Sequence, residues 1–496
     1  MTGPRSSTML GAVRASTLVL MLAGCAVGPD FRQPAAPSIT SLTPAPLPAA
    51  TAAAPGPAGS PQRFVQGLDI PGQWWTLYRS PALNALIERA LQANPDLQSA
   101  QAALRAARET YYAQRGALLP TVDVDYSVAR TQAAATIAPP LSSNVDLYTL
   151  HTAQVSVGYT LDVFGAVRRQ TEATRAEAES QRFATEAAYL TLTSNLVTAA
   201  IGEASLRDQI DATKAIVTAS EQVREIMRHQ FSRGGVARAD VAAQETLLAQ
   251  TEETLPPLEK QCSQQRDLIA DLTGQFPSQS PGESLELASL ELPTDMPVSL
   301  PSAIVAQRPD IRAAAANLHA ASAQLGVAIA NRLPTFTLTA NAGGASTRLS
   351  DLFTHGNGFW GLAGDVAQPV FDGGALLHKQ RAARAALDQA QAQYRSTVLA
   401  AFQNVADSLQ ALDADARALS AATLAEQTAG QSLEIAKKQL SVGQADLIVV
   451  LNAEQAWRQA VISRVQAQTA RYLDTAALFE ALGGGWWNRR ETTDKL

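Results

Sequence analysis

Few residues in this chain have the types and spacing that catalysis or cofactor binding requires. Residues 356–361 match the pattern G-x-G-x-x-G, but they lead into a predicted strand, whereas a dinucleotide site needs this pattern between a strand and a helix. The histidines are scattered, with no H-E-x-x-H motif and no cluster with cysteines; they are His151, His229, His319, His355 and His378. The sequence therefore predicts no enzyme activity, no cofactor and no metal site.

Acidic residues that follow two glycine turns are the more informative candidates. Each turn ends a long helical segment, where a left-handed C-terminal cap is expected. An aspartate in the first turn of the next helix is stabilised by the helix dipole, so helix capping is one explanation for its presence. In a symmetric oligomer it would also recur around an axis and form a charged ring, as in cation-selective pores. The candidates are Gly234, Gly235 and Gly443 in the turns, and Asp240, Asp446, Val449 and Asn452 after them.

Two halves of the chain match each other in the same order. The Asn-Pro-Asp-Leu of residues 94–97 is matched 214 residues later by Arg-Pro-Asp-Ile, and the Leu-Pro-Thr of residues 119–121 is matched at the same offset. A constant offset favours an internal duplication over chance. We predict a first repeat over 73–275, an insertion over 276–300, a second repeat over 301–482 and a tail over 483–496.

Each repeat has the pattern of a helix, two strands, a very long helix, a glycine turn and a shorter helix. Pro369 is the last proline, and Gly430 is the only glycine between Gly374 and Gly443, so a helix of roughly 100 Å can run there. We predict strands 120–130 and 153–163, long helix 166–233 and helix 236–274 in the first repeat, and strands 334–345 and 358–370, long helix 373–441 and helix 445–481 in the second.

The second long helix carries a coiled-coil-like seam with alternating spacings of four and three residues. The seam consists of Val398, Phe402, Val405, Leu409, Leu412, Ala416 and Leu419. In the first repeat, Pro256-Pro257 predicts a kink in the shorter helix.

The predicted strands alternate between apolar and polar residues. Val122, Val124, Tyr126 and Val128 share one face of the first strand. An ordinary antiparallel sheet packed on helices would also give this pattern. Strands of about ten residues nevertheless suit a membrane barrel, and four strands per chain would need several chains to close one.

The N-terminus reads as an export signal. Residues 1–24 contain Arg5 and Arg14 before a short apolar run, and Leu22-Ala23-Gly24-Cys25 matches a bacterial lipobox, which predicts lipidation at Cys25. A leader cleaved elsewhere, with an incidental cysteine, is the alternative. Residues 25–72 are rich in proline and alanine and predict a flexible, lipid-anchored tether. The chain has a net charge of −6 and loses only positive charge with the leader, so no nucleic-acid partner is expected.

Together these residues resemble the outer-membrane efflux lipoproteins of the TolC/OprM family, the NodT-type outer-membrane factors of RND efflux systems. The resemblance rests on residues 25–31 (Cys-Ala-Val-Gly-Pro-Asp-Phe), Trp74-Trp75, the duplicated halves and the closing segment 481–486 (Ala-Leu-Gly-Gly-Gly-Trp). It implies a mostly α fold with membrane β structure: a homotrimer whose four strands per chain form a twelve-stranded outer-membrane β-barrel, continuous with a periplasmic α-helical barrel.

The resemblance also implies partners and a gate. The glycine turns would dock to a periplasmic adaptor, or membrane fusion protein, of an inner-membrane RND-type transporter, while the barrel contacts outer-membrane lipid. Asp446 matches an acidic gate position of the OprM branch, whereas Val449 and Asn452 stand where TolC has aspartates, which leaves one expected acidic ring. Asp240 is the corresponding candidate in the first repeat.

The function that follows is a passive exit duct for small molecules in a tripartite efflux pump. A type I protein secretion channel would use the same architecture. A non-conducting envelope scaffold lipoprotein is the alternative from another class.

Overall fold

The computed structural model describes residues 26–39, 41–134, 145–279, 285–299 and 301–489. Its elements follow the predicted order of two repeats. The strands are β1 (Arg63–Gln66), β2 (Thr121–Gln132), β3 (Leu147–Leu161), β4 (Asp295–Val298), β5 (Thr335–Ser346) and β6 (Gly358–Ala367). The helices are α1 (Pro81–Ala93), α2 (Pro95–Gly116), α3 (Ala166–Ser232), α4 (Arg238–Glu253), α5 (Leu255–Leu272), α6 (Pro301–Gln307), α7 (Pro309–Ala330), α8 (Ala375–Ser441) and α9 (Leu447–Ala481).

The chain divides into two compact units. One contains the described residues of 1–34, 104–180 and 314–394, and the other those of 35–103, 181–313 and 395–496. The long helices α3 and α8 contribute residues to both units and have the same length of 67 residues. At about 1.5 Å per residue, each is roughly 100 Å long, as the sequence predicted for α8.

Both repeats break their first helix at the matched Pro-Asp motif. We expected one continuous helix there, but α1 ends at Ala93 and α2 begins at Pro95, while α6 ends at Gln307 and α7 begins at Pro309. Proline lacks the amide hydrogen that a continuous helix would use at this point. The side chain of Asn94 accepts a hydrogen bond from the Leu97 amide at 2.9 Å and so caps the restarted helix.

The helix predicted over 236–274 is also divided. It consists of α4 and α5, which meet at Thr254, two residues before Pro256-Pro257. The predicted kink is confirmed as an interruption of one residue, Thr254, whose backbone stays in the right-handed helical region. Its counterpart α9, which lacks proline, is continuous over 35 residues.

A four-stranded antiparallel sheet, in the order β2-β3-β5-β6, lies in the first unit. Its register places the predicted apolar residues opposite one another: Val157 faces Val122 on one side and Ala340 on the other, and Ala340 faces Leu362. The predicted alternation is confirmed, because one face of the sheet is apolar across all four strands. That face is open in the single chain, where Val124 is 79% exposed.

The seam of α8 is confirmed with one correction. Val398, Val405, Leu409, Leu412, Ala416 and Leu419 are all buried, but Phe402 is only half-buried. Ala401 takes its place and is fully buried. Both residues lie between Val398 and Val405 at helical spacing, and the position with the smaller side chain faces the neighbouring helices, which allows closer packing.

The predicted tether over 25–72 differs in the structure, because part of it is folded. Strand β1 pairs in parallel with β4 of the insertion, with Phe64 opposite Met296. Gln62 is fully buried, and its amide donates to the Pro293 carbonyl and to Thr475 Oγ1, both at 3.2 Å. Proline-rich composition predicts an extended backbone, but it does not reveal partners more than 200 residues away.

Arg471 of α9 joins that helix to the same segment. Its side chain is fully buried and donates to the Ala58 carbonyl at 2.7 Å, Gln62 Oε1 at 2.9 Å and Thr51 Oγ1 at 3.1 Å. Burial lowers the pKa of Arg471 from its ordinary value. A buried guanidinium therefore organises residues 51–62 around the helix.

None of the helices in the described part of the chain is both long and apolar enough to span a membrane.

Candidate functional site: the two glycine turns

The first turn joins α3 to α4 and is closed by a Schellman motif. Gly234 has a φ of +75°, in the left-handed region that favours glycine. The amide of Gly235 donates to the carbonyl of Gln230 at 2.9 Å, which satisfies a carbonyl that the helix end would leave unpaired.

The second turn, between α8 and α9, repeats this geometry. Gly443 has a φ of +73°, and the amide of Gln444 donates to the carbonyl of Gln439 at 2.8 Å. The left-handed caps predicted at Gly234 and Gly443 are confirmed. Gly235 is different, because its counterpart in the second turn is Gln444 and its own φ is not positive.

This difference allows a matched test of the first turn. Gly234→Ala should destabilise the end of α3 by about 1–2 kcal/mol, since an L residue is strained in the left-handed region. Gly235→Ala should change it by less than about 0.5 kcal/mol, since an added Cβ would meet Gln230 only at an ordinary contact of 3.4 Å. Hydrogen exchange of the last amides of α3 measures both effects. Equal exchange in the two variants would contradict the assignment.

The two candidate aspartates do not occupy equivalent positions. Gly443 follows Gly234 by 209 residues, so the counterpart of Asp446 is Ala237, and both are N-cap residues with the same backbone angles. Asp240 lies three residues further, at a half-buried position, and its carboxylate accepts the Ala237 amide at 3.0 Å. The position equivalent to Asp240 in the second turn holds Val449. Capping therefore accounts for Asp240.

Asp446 is exposed and does not cap its helix. Its side chain makes no capping hydrogen bond, although it stands at the N-cap of α9. Val449 and Asn452 are also exposed, at intervals of three residues from Asp446. At this spacing the three side chains share one side of the first two turns of α9. The carboxylate is thus free to face whatever lies beyond the turn.

An apolar cluster behind the turn supports the position of Asp446. Leu433 and Ala436 of α8 pack with Val450 and Ala453 of α9, and all four are buried. Because Val450 anchors the first turn of α9 in this cluster, the exposed side of that turn is fixed in direction.

A buried polar cluster near the turns was not predicted. Glu454 is 4% exposed, and its Oε1 accepts the Ser220 hydroxyl of α3 at 2.6 Å. Arg458 lies 3.9 Å from Glu454, and its guanidinium contacts Thr251 of α4. Burial lowers the pKa of Arg458. The available sequence signal was the Glu-x-x-x-Arg spacing on one helix face, which more often marks an exposed pair.

The predicted lipidation residue, Cys25, lies outside the described residues. The residues just after it are held in the first unit. The amide of Val27 donates to the Phe164 carbonyl at 3.1 Å, and Arg169 of α3 pairs with Asp30 at 2.6 Å. Val27 and Asp30 are therefore held beside the junction between β3 and α3.

Two repeats of a strand hairpin followed by a long helical hairpin, closed by paired Schellman turns, define the class of this protein. The chain belongs to the outer membrane efflux protein family, whose family model matches residues 86–275 and 300–484. This is a family of outer-membrane efflux proteins rather than of enzymes.

Individual relatives cover almost the whole chain. The pyoverdine export outer membrane protein OpmQ of Pseudomonas putida is 27% identical over 421 residues, which is 84% of this chain and 89% of OpmQ. The solvent efflux pump outer membrane protein SrpC of Pseudomonas putida is 27% identical over 474 residues, or 94% and 97% of the two chains. The solved outer-membrane channel OprN is 25% identical with a TM-score of 0.82, covering 93% of this chain and all of OprN.

Proposed function

We propose that this chain is the outer-membrane channel of a tripartite efflux pump, a passive exit duct that works as a homotrimer. Each chain gives four strands to a twelve-stranded barrel in the outer membrane and its long helices to a periplasmic α-helical barrel. Lipidation at Cys25 adds a second membrane anchor. The duct performs no chemistry, and the inner-membrane transporter supplies the energy.

The observation that carries this proposal is the four-stranded sheet. Its strands β2 and β6 are edge strands, and its apolar face is exposed. Unpaired edges favour pairing with another chain, and within lipid every backbone polar group needs a partner. Pairing β6 of one copy with β2 of the next would remove all edges and turn the apolar face toward lipid.

The glycine turns support the proposed partners. The two turns share the same Schellman hydrogen bond and left-handed glycine but carry different side chains, and both are largely exposed. They would dock to a periplasmic adaptor that leads to an RND-type transporter. One relative is named for pyoverdine export and another for solvent efflux, so the similarity does not identify the molecules that this chain would export.

Single-channel recording in planar bilayers tests the function. The purified full chain should form threefold particles in detergent and should conduct ions after reconstitution. A non-conducting scaffold would give threefold particles without conductance. A type I secretion channel would conduct but would assemble with an ABC exporter rather than an RND pump in co-purification.

A matched pair of arginine substitutions tests the barrel face. Val124→Arg places a charge on the apolar face and should cost about 2–4 kcal/mol near the bilayer midplane, which reduces the folded trimer recovered from outer membranes. Ser127→Arg, on the polar face of the same strand, should be tolerated because that face would line water. Equal recovery of both variants, measured as heat-resistant trimer on gels, would rule out the barrel orientation.

A further inference from the structure

A groove in the helical unit lies between α3, α8 and α9, next to the second glycine turn. Its volume is about 780 Å³, within the range of about 300–1,000 Å³ that is typical of small-molecule sites. Its floor is apolar, because Met227 of α3, Leu433 of α8 and Val450 of α9 line it and are each at most 4% exposed. All of its lining residues belong to the same compact unit, so the packing of three helices sets its shape.

Trp457 of α9 forms one wall of this groove. Its indole ring lies against Gly430, where an added Cβ would meet the ring atoms Cδ1 at 3.4 Å and Nε1 at 3.5 Å. Gly430 is the only glycine within α8, and glycine inside a helix is destabilising relative to alanine. The ring itself is half-buried. A partly open aromatic ring in the wall of a groove can contact flat apolar groups and attract cations.

Glu454 brings a buried carboxylate to the same groove. Its Oε1 accepts the Ser220 hydroxyl, whereas its Oε2 is buried and has no hydrogen-bond partner in the described part of the chain. Arg458 stands 3.9 Å from Oε1, beyond hydrogen-bonding distance, and its guanidinium contacts Thr251 of α4 instead. A carboxylate with an unused acceptor favours a ligand that carries both a positive charge and a hydrogen-bond donor.

The other charged residues that line the groove pair with each other at its rim. Glu434 and Lys437 of α8 are exposed, and their side chains lie 3.1 Å apart. Ile226 of α3 also lies at the rim and is 58% exposed. The rim is therefore open in the single chain and adds no net charge to that of Glu454.

We propose that this groove binds a lipophilic organic cation, a molecule with an apolar body and an ammonium head group. The body lies on Met227, Leu433 and Trp457, and the ammonium group pairs with the carboxylate of Glu454. Because Val450 belongs to the first turn of α9, an occupied groove braces the start of that helix beside the second glycine turn. The site is built from one chain, so binding does not depend on conduction through the duct.

Calorimetric titration of the full chain in detergent tests the site with two ligands that share one ring system. Naphthylmethylamine is a cation at neutral pH, and naphthylmethanol has a neutral head group. The amine should saturate at one molecule per chain and bind about tenfold more tightly than the alcohol. Glu454→Gln keeps an acceptor for Ser220 but removes the charge, so it should lower the affinity for the amine to that for the alcohol.

A matched pair of lysine substitutions keeps the test independent of the buried carboxylate. Ile226→Lys places a positive charge at the rim of the groove and should weaken binding of the amine by about tenfold, with little effect on the alcohol. Ile435→Lys is the control, because Ile435 of α8 is 56% exposed and does not line the groove. It should bind the amine as the wild type does.

Three outcomes would overturn the proposal. The first is equal affinity of the wild type for the amine and the alcohol, which would exclude recognition of charge. The second is the absence of saturable binding, as expected if a neighbouring copy of the chain covers the groove. The third is an equal loss of amine affinity in both lysine variants, which would indicate general repulsion by the surface rather than a site.

Discussion

Replacing Arg471 with methionine should destabilise the protein by about 3–5 kcal/mol. Its guanidinium donates to four acceptors within residues 51–62 and is fully buried. Methionine fills similar volume but leaves the Ala58 carbonyl and Gln62 Oε1 without this donor, and each buried acceptor without a partner costs about 1–3 kcal/mol. Thr51 Oγ1 still accepts the Gln62 amide at 3.0 Å. Relief of the buried charge offsets part of that cost.

The measurement is thermal unfolding together with limited proteolysis of the 51–66 segment, which should become accessible before the long helices unfold. Arg417→Met is the control, because Arg417 is 68% exposed and pairs only within α8. It should change stability by less than about 0.5 kcal/mol. If Arg471→Met left both the unfolding temperature and the proteolysis pattern intact, the buried guanidinium would not be what holds this segment.

Asp446→Ala should give the largest functional effect: a several-fold rise in single-channel conductance and weaker selectivity for cations. In the proposed trimer the three carboxylates would form a ring at the closed end, so removing them widens the constriction and removes its negative charge. Asp446 makes no capping bond, so we expect the fold of α9 to be retained. Conductance and reversal potential in a salt gradient measure the two effects separately.

Asp240→Ala is the matched control for the ring. It removes the bond from the Ala237 amide to Asp240 and should loosen the start of α4 by about 0.5–1 kcal/mol, without a change in conductance. A similar rise in conductance in both variants would mean that loosening either turn opens the end of the duct. Unchanged conductance in Asp446→Ala would exclude Asp446 as a gate residue.

Most of the long helices and strands could be predicted from the sequence because the residues that determine them are close together in the chain. A helix without proline, a strand with period two and a glycine in the left-handed region are each set by neighbouring residues, so α8, the apolar face of β2 and the cap at Gly443 were predictable. The unequal positions of Asp240 and Asp446 could also be predicted, since the 209-residue offset between the turns already pairs Asp446 with Ala237.

The features that were missed depend on partners distant in the chain. Strand β1 pairs with residues more than 200 positions away, and proline-rich composition around it suggests only an extended backbone. Arg471 has the sequence appearance of a surface charge on a helix, yet it is buried by residues some 410 positions earlier. Phe402 and Ala401 fit the seam equally well by spacing, and only the packing between helices decides between them.

The stripe of buried residues on α8 limits how this helix can change in length during evolution. Loss of one residue before Val405 would rotate the rest of the helix by about 100° around its axis. The buried side chains between Val405 and Leu419 would then point away from their contacts. Loss of seven residues would displace the same stripe by only about 20° around the axis. Insertions and deletions in α8 should therefore occur in steps of seven residues, which leave the glycine turn at the end of the helix unchanged.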